Sequence, residues 1–194
     1  MTSPNASLPA SPGISVILPV LNEQAHLEDS IRAILSQSYL GKFEVILALG
    51  PSRDSTNEIA RSLAAEDARV ILVENPSGRT AAGLNIALHA STQDVVVRVD
   101  AHAEIPNNYL QLVVELLRES GAVNVGGVMG AEGITFFETA VAAAMCSPFG
   151  VGGSRFHTGG KAGFVDTVYL GAFIRQAVVD AGGCLLYTSD AADE

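Results

Sequence analysis

Short apolar runs alternate with helix-period segments over the first 120 residues, and no other feature of the chain narrows its fold as much. Strand and helix in repeated alternation close most economically as a parallel sheet with helices packed on its faces. Strands are expected at residues 14–19, 43–49, 69–73, 95–99 and 122–128. The first four are rich in Val, Ile and Leu without clean alternation, as strands buried on both faces are. Helices are expected at 23–38 with Asn22 as cap, at 54–65 where Ser55 and Glu58 match a capping box, at 80–90, and at 107–119 opened by Pro106. A further strand at 165–170 and a helix at 174–181 follow a different middle section. Connections in the first part are short, which favours one compact sheet.

That middle section begins after Gly121. Gly126, Gly127, Gly130 and Gly133 lead into an apolar helix expected around 136–145. The stretch from Gly150 to Lys161 is too glycine-rich for a regular element and is expected to be a loop near a ligand or a long surface connection. Residues 134–151 are the nearest thing to a membrane span, but Glu138, Ser147, Pro148 and Gly150 interrupt them, and a span needs roughly 20 apolar residues. A buried helix is the better reading, although Phe136, Phe137, Met145 and Phe149 offer an interfacial face.

Composition excludes several functions. A net charge of −10 and a pI of about 4.7 argue against binding a nucleic-acid backbone over a broad surface. Cys146 and Cys184 show neither metal spacing nor a disulfide framework, so a reducing compartment is expected. Residues 1–13 carry no basic start and no continuous apolar core, and read as a flexible tail rather than a signal peptide. From about Cys184, the text Leu185-Leu186-Tyr187-Thr188-Ser189-Asp190-Ala191-Ala192-Asp193-Glu194 resembles translated sequencing-adapter read-through. On that reading 184–194 is a non-native tail, the chain is a fragment, and the remainder is still acidic.

The residue types that carry chemistry collect at strand ends and in loops. Asp100 ends the run Val95-Val96-Val97-Arg98-Val99 and is followed by Ala101, His102, Ala103 and Glu104. The carboxyl ends of strands line the ligand crevice of an open α/β sheet, so a buried strand here delivers polar groups to a rim. Asp100 and His102, two apart beyond a strand end, can both reach one ion. Carboxylate oxygen suits Mg²⁺ or Mn²⁺, and imidazole is better tolerated by Mn²⁺. The competing reading makes His102 a loop-bonding side chain and Glu104 a solvated one. Asn22, Asp54, Asn85 and the basic residues Arg79, Arg155, His157 and Lys161 also fall near element ends or in loops. No glycine follows the first strand in Pro19-Val20-Leu21-Asn22-Glu23, which excludes a dinucleotide fingerprint and a P-loop. Ser154 lacks the spacing of a nucleophile elbow.

These residues resemble the family 2 glycosyltransferases. Ser15-Val16-Ile17-Leu18-Pro19-Val20-Leu21-Asn22-Glu23 is similar to the family's opening strand running into Pro-x-x-Asn-Glu, and Leu35-Ser36-Gln37-Ser38-Tyr39 to its Leu-x-Gln-x-Tyr turn. Phe43-Glu44-Val45-Ile46, Asp54-Ser55-Thr56, Asn75, Ala82-Gly83-Leu84-Asn85 and Val99-Asp100-Ala101-His102-Ala103 follow in the family's order over residues 14–183. Asp-Ala-His in place of the usual Asp-x-Asp, with Phe149-Gly150-Val151-Gly152-Gly153-Ser154-Arg155-Phe156, resembles the bacterial succinoglycan type of exopolysaccharide enzyme.

The resemblance implies a three-layer α/β/α, Rossmann-like, glycosyltransferase A-type fold with a mainly parallel sheet, incomplete at its C-terminus. It implies transfer with inversion from a nucleotide-diphosphate sugar, a UDP-sugar in the first instance, to a saccharide or lipid-linked saccharide acceptor in surface-polysaccharide synthesis. A divalent cation, Mn²⁺ or Mg²⁺, comes with it. By resemblance Pro19, Asn22, Glu23, Asp54, Asn85 and Asp100 bind the nucleotide sugar, Asp100 and His102 hold the metal, and Arg155, His157 and Lys161 belong to a diphosphate or acceptor loop. A cytoplasmic location is implied, with possible peripheral association of the full-length enzyme at the inner face of the membrane.

Two departures from the family's pattern stand out. Leu49 and Gly50 replace the acidic pair that many relatives carry after the second strand, which leaves the base preference open. The family's general base follows a Gly-Gly like Gly182-Gly183, where the adapter-like text begins; Asp166 is a candidate within the chain and reads equally well as a loop-pairing acid. The alternatives are a nucleotidyltransferase of related fold, whose glycine-rich basic first loop is missing here, and a non-catalytic nucleotide-sugar binding module.

Overall fold

The computed structural model describes residues 8–127, 163–165 and 168–183. The expected helix at 136–145, the glycine-rich loop with Arg155, His157 and Lys161, the candidate Asp166 and the 184–194 tail lie outside the described residues. The chain divides into two compact units, Met1–Val125 with Ala172–Glu194 and Gly126–Gly171; the first holds the sheet core and the cavity described below.

The chain runs β1 (Ile14–Val20), α1 (Leu27–Leu35), β2 (Phe43–Leu49), α2 (Thr56–Glu66), β3 (Val70–Glu74), α3 (Thr80–Ala90), β4 (Val95–Arg98), α4 (Tyr109–Ser120), β5 (Asn124–Gly127), β6 (Tyr169–Ile174) and α5 (Arg175–Asp180). The sheet order is β3-β2-β1-β4-β6-β5. β3, β2, β1 and β4 are parallel, and β6 runs antiparallel to β4, with Val95 opposite Ile174 and Val97 opposite Ala172.

β1 is central and buried almost throughout, which explains its lack of alternation. Ile17, Ile46, Ala48 and Val96 pack with Leu84, Ala87 and Leu88 of α3, and Val178 of α5 joins them. The strand residues of opposite phase, Val16, Leu18, Val45, Leu47, Val95 and Val97, are also wholly buried. α1 and α4 present buried apolar stripes, Leu27, Ile31 and Ile34 on one and Leu110, Val113, Val114 and Leu117 on the other. α4 ends at Gly121 with φ 67°, the left-handed cap that glycine adopts without steric cost. Among the described residues no helix is long and apolar enough to cross a membrane.

Three local expectations need correction. Asn22 does not cap α1: it is itself left-handed at φ 56°, its side chain is engaged by the next loop, and the helix begins at Leu27 after a turn. Asn tolerates this backbone region better than most residues. Ser55 stands at the N-cap of α2 but makes no side-chain cap; Asp54 accepts the Thr56 N–H instead, as an Asx turn. The last strand is Tyr169–Ile174, shifted along the chain from the expected 165–170. The end of the expected N-terminal tail is also tied down: Pro12 C=O accepts the Tyr39 hydroxyl and Gly13 C=O accepts the Val95 N–H.

Candidate functional site

The strand order places a topological switch beside β1. β2 and β3 lie to one side of it and β4 to the other, so the chain leaves the sheet in opposite directions from neighbouring strand ends and opens a crevice there. Pro19 belongs to this opening. Ile17 C=O accepts the Val99 N–H on the β4 side and Val20 C=O accepts the Gly50 N–H on the β2 side. By alternation Pro19 faces the β4 side just where pairing with β4 has ended, so its missing N–H leaves no ladder bond unmade.

A cavity of about 420 Å³ occupies the crevice, lined by the ends of β1 and β4 and by the start of α3. Pro19, Glu23, Thr80, Arg98, Asp100 and His102 are among its walls. Val97 and Val99 turn into the core with no exposed surface, so the intervening phase sends Arg98 and Asp100 to the rim. Arg98 donates from Nε to Asp100 Oδ1 at 3.0 Å, and its Nη2 lies 3.0 Å from the same oxygen. The turn after Asp100 is closed by the Ala103 N–H on Asp100 C=O, which carries His102 outward. His102 Nδ1 stands 3.0 Å from Glu23 Oε1. With the Nδ1 proton donated to that carboxylate, the neutral ring keeps its lone pair at Nε2.

Glu23 is placed by a second set of bonds. Its backbone N–H donates to Thr56 Oγ1 at 2.7 Å, and the Thr56 hydroxyl donates to Asp54 Oδ1 at 2.5 Å. The Gln24 N–H reaches Asp54 Oδ2, Gln24 Oε1 accepts the Ser55 N–H, and Asn22 exchanges bonds with Arg53 N–H and the Ser52 hydroxyl. The β1–α1 loop is thereby clamped to the β2–α2 loop. The Thr56 hydroxyl, with backbone N–H groups assisting against some desolvation, holds the Asp54 carboxyl below its ordinary range.

The third wall depends on Asn75, which is buried. Its amide donates to Arg79 C=O and accepts the Ser77 hydroxyl, folding the loop that brings Gly78 and Thr80 to the cavity. Gly83 lies under it; a Cβ there would stand 2.8 Å from Asn75 Nδ2 and 3.2 Å from Pro19 Cβ, so α3 approaches the strand end as only glycine allows.

Of the residues singled out in the sequence, Pro19, Glu23, Asp100 and His102 therefore meet at one cavity. Asn22 and Asp54 form the clamp behind it. Asn85 lies on α3 against the Gly183 backbone, where a glycine Cβ would come within 2.5 Å of its Oδ1, and is not among the cavity's described walls. Sequence reasoning missed Arg98 and Thr56. A charge set inside an apolar strand was the available signal for Arg98. A second hollow, about 370 Å³ and lined in part by Arg32, Glu66 and Asp67, has its arginine already engaged by Glu28 and Glu66.

The donor set suits a divalent cation held open for a ligand. Among the described residues no three His, Cys, Asp or Glu side chains converge as a closed metal site. Asp100 offers Oδ2 beyond its pair with Arg98, and His102 offers Nε2. One carboxylate and one imidazole, completed by phosphate and water, is an arrangement that Mn²⁺ accepts.

Comparison with known proteins identifies the family and the fold. The sequence profile of "Glycosyl transferase family 2" matches residues 15–178. The chain is 36% identical over 146 residues to the succinoglycan biosynthesis protein ExoA of Rhizobium meliloti (strain 1021), covering 74% of this chain and 44% of that protein. It is 31% identical over 118 residues to the glycosyltransferase AglE of Haloferax volcanii, covering 60% and 39%. The chain thus spans less than half the length of these curated relatives. Among solved structures, the mannosyltransferase PcManGT from Pyrobaculum calidifontis, in complex with GDP-Man and Mn²⁺, matches with a TM-score of 0.65 at 26% identity, covering 92% of this chain and 48% of that one. S. aureus TarS has the same TM-score at 17% identity, covering 88% and 49%, and supports the fold alone. The chain belongs to glycosyltransferase family 2, and its sheet and helices are those of the glycosyltransferase A-type fold.

Proposed function

We propose that the chain is the donor-binding part of a glycosyltransferase that takes a sugar from a nucleoside-diphosphate donor and passes it to a saccharide or lipid-linked saccharide acceptor in exopolysaccharide or surface-polysaccharide synthesis. The observation that carries this reading is the meeting of Asp100, His102, Arg98 and Glu23 in one cavity at the carboxyl ends of β1 and β4, in a chain of this family. The relation to the succinoglycan protein supports the polysaccharide context. A UDP-sugar is the donor expected first. A GDP-sugar is the second choice, favoured by the 26% identical neighbour bound to GDP-Man and by the absence of an acidic pair at Leu49 and Gly50.

Asp100 and His102 would hold the divalent cation, which when bound neutralises charge building up on the diphosphate leaving group. Glu23 fixes the ring and tautomer of His102, and the Asp54–Thr56 clamp fixes Glu23. Inversion needs the acceptor hydroxyl to attack the anomeric carbon from the face opposite the diphosphate, with a base accepting its proton as the carbon–oxygen bond to the diphosphate breaks. That base is assigned to sequence of the full-length protein beyond Gly183, with Asp166 as the candidate within this chain. Nucleotide and sugar are further assigned to Pro19, Asn22 and Asn85, and the phosphate or acceptor side to Arg155, His157 and Lys161. The proposed location is cytoplasmic.

Calorimetric titration with UDP-glucose, UDP-galactose, UDP-N-acetylglucosamine and GDP-mannose, with and without Mn²⁺, tests the reading. Mn²⁺-dependent binding of at least one donor is expected, lost in the Asp100→Ala/His102→Ala double variant. Metal-independent binding that survives both substitutions would contradict the site.

A further inference from the structure

Arg98 is the one permanently cationic side chain among the described walls of a cavity that also holds the carboxylates Glu23 and Asp100. Two of its three guanidinium nitrogens, Nε and Nη2, converge on a single oxygen, Asp100 Oδ1. The strand enforces this meeting, because residues two apart on one face are neighbours and the buried Val97 and Val99 fix which face that is. The pair is not locked in: the Arg98 side chain is 40% exposed and that of Asp100 23%, and half-exposed ion pairs hold weakly.

A guanidinium and a divalent cation compete for the same carboxylate. A diphosphate changes the balance, because it offers the guanidinium more negative charge and a bidentate fit than one carboxylate oxygen does. We propose that Arg98 is an internal counter-ion that occupies Asp100 until a diphosphate enters the cavity and then moves to the diphosphate, so that metal and donor bind as a coupled pair. This rests on the metal-diphosphate reading given above. Metal arriving alone at Asp100 Oδ2 meets a carboxylate whose charge Arg98 already offsets through Oδ1, and stands beside that guanidinium. Metal arriving with the diphosphate finds Asp100 released. By linkage, whatever factor the diphosphate adds to metal affinity, the metal adds to diphosphate affinity.

Binding of Mn²⁺ to the full chain, followed by the electron paramagnetic resonance of the free ion, separates these states without any turnover. Arg98→Gln is expected to bind Mn²⁺ alone roughly 3- to 10-fold more tightly than the unaltered chain, the range of a half-exposed charge-assisted pair. In saturating Mn²⁺ the same variant is expected to bind UDP and GDP more weakly by a similar factor, and Arg98→Lys to lie between. Circular dichroism of both variants confirms that the fold is kept. If the unaltered chain binds Mn²⁺ and nucleoside diphosphate through Asp100 while Arg98→Gln leaves affinity for Mn²⁺ alone unchanged or lower, the counter-ion role is overturned and the site stands. If Asp100→Ala leaves Mn²⁺ and nucleotide binding intact, the site reading and the counter-ion role fall together.

Discussion

Two polar regions border the crevice, and they spend their hydrogen bonds differently. In the clamp between the β1–α1 and β2–α2 loops, Asn22, Asp54 and Thr56 turn toward one another and toward backbone N–H groups. At the end of β4, among the described residues, Asp100 has a single cationic partner and His102 a single carboxylate partner, each engaged through one atom. In the first region these acceptors are met from within the protein. On the function proposed above, the second keeps lone pairs for a bound ligand. Residues of the same chemical type, Asp54 and Asp100, thus differ in where their acceptor capacity goes, and neither composition nor spacing distinguishes them.

The largest expected effect breaks the second region. Asp100→Ala removes the carboxylate ligand and should lower Mn²⁺-dependent nucleotide affinity by about 100-fold or more while leaving thermal stability nearly unchanged. Calorimetry and a melting curve on the same sample check both halves. A large loss of stability would instead make Asp100 framework, like Asp54.

Glu23→Gln sharpens the link between the regions. The amide can still meet Nδ1 of His102 but carries no charge, so Mn²⁺ affinity should fall about 10-fold. The exchange-averaged imidazole resonances of His102, followed by nuclear magnetic resonance, should shift toward a mixture of tautomers.

Thr56→Val breaks the clamp itself. The buried hydroxyl both accepts from Glu23 N–H and donates to Asp54, so its loss should cost about 1–2 kcal/mol in denaturant unfolding. Nucleotide affinity should fall only a few-fold, through looser placement of Glu23.

The smallest effect is that of pH on the same clamp. The Asp54 carboxyl is held below its ordinary value of 3.8 by the Thr56 hydroxyl, so its contribution is complete above that value and is lost as pH falls through the lower folded value. Protection of the Gln24 and Thr56 amides, taken relative to their intrinsic exchange rates, should therefore fall at acid pH before the sheet opens, and Asp54→Asn should flatten that change.

Much of this arrangement was legible in the residues. The second strand and the third helix lie at the expected positions, 43–49 and 80–90, because unbroken apolar runs and clean helical spacing leave little choice. The start of α1 was not legible, since Asn22 has the chemistry of a cap yet faces the neighbouring loop, a contact with Arg53 that local pattern cannot show. The last strand slipped along the chain for a related reason. Residues 165–170 carry Asp166 and Thr167 among apolar neighbours while 169–174 carry no charge, and antiparallel pairing with β4 engages the second. At the site, Asp100 and His102 stood out because polar residues after a buried strand are conspicuous. Arg98 gave a weaker signal, a lone charge within the apolar run, and the strand's alternation puts it on one face with Asp100.

The central claim is that metal-binding valence lies at the end of β4 and not in the clamp. Paramagnetic broadening by substoichiometric Mn²⁺ in the presence of UDP or GDP, read on assigned backbone amides, tests it most directly. The account predicts that broadening centres on Asp100, Ala101 and His102, fades toward Ser52–Asp54, and disappears in Asp100→Ala. Broadening centred on the clamp, or unaffected by that substitution, would contradict it.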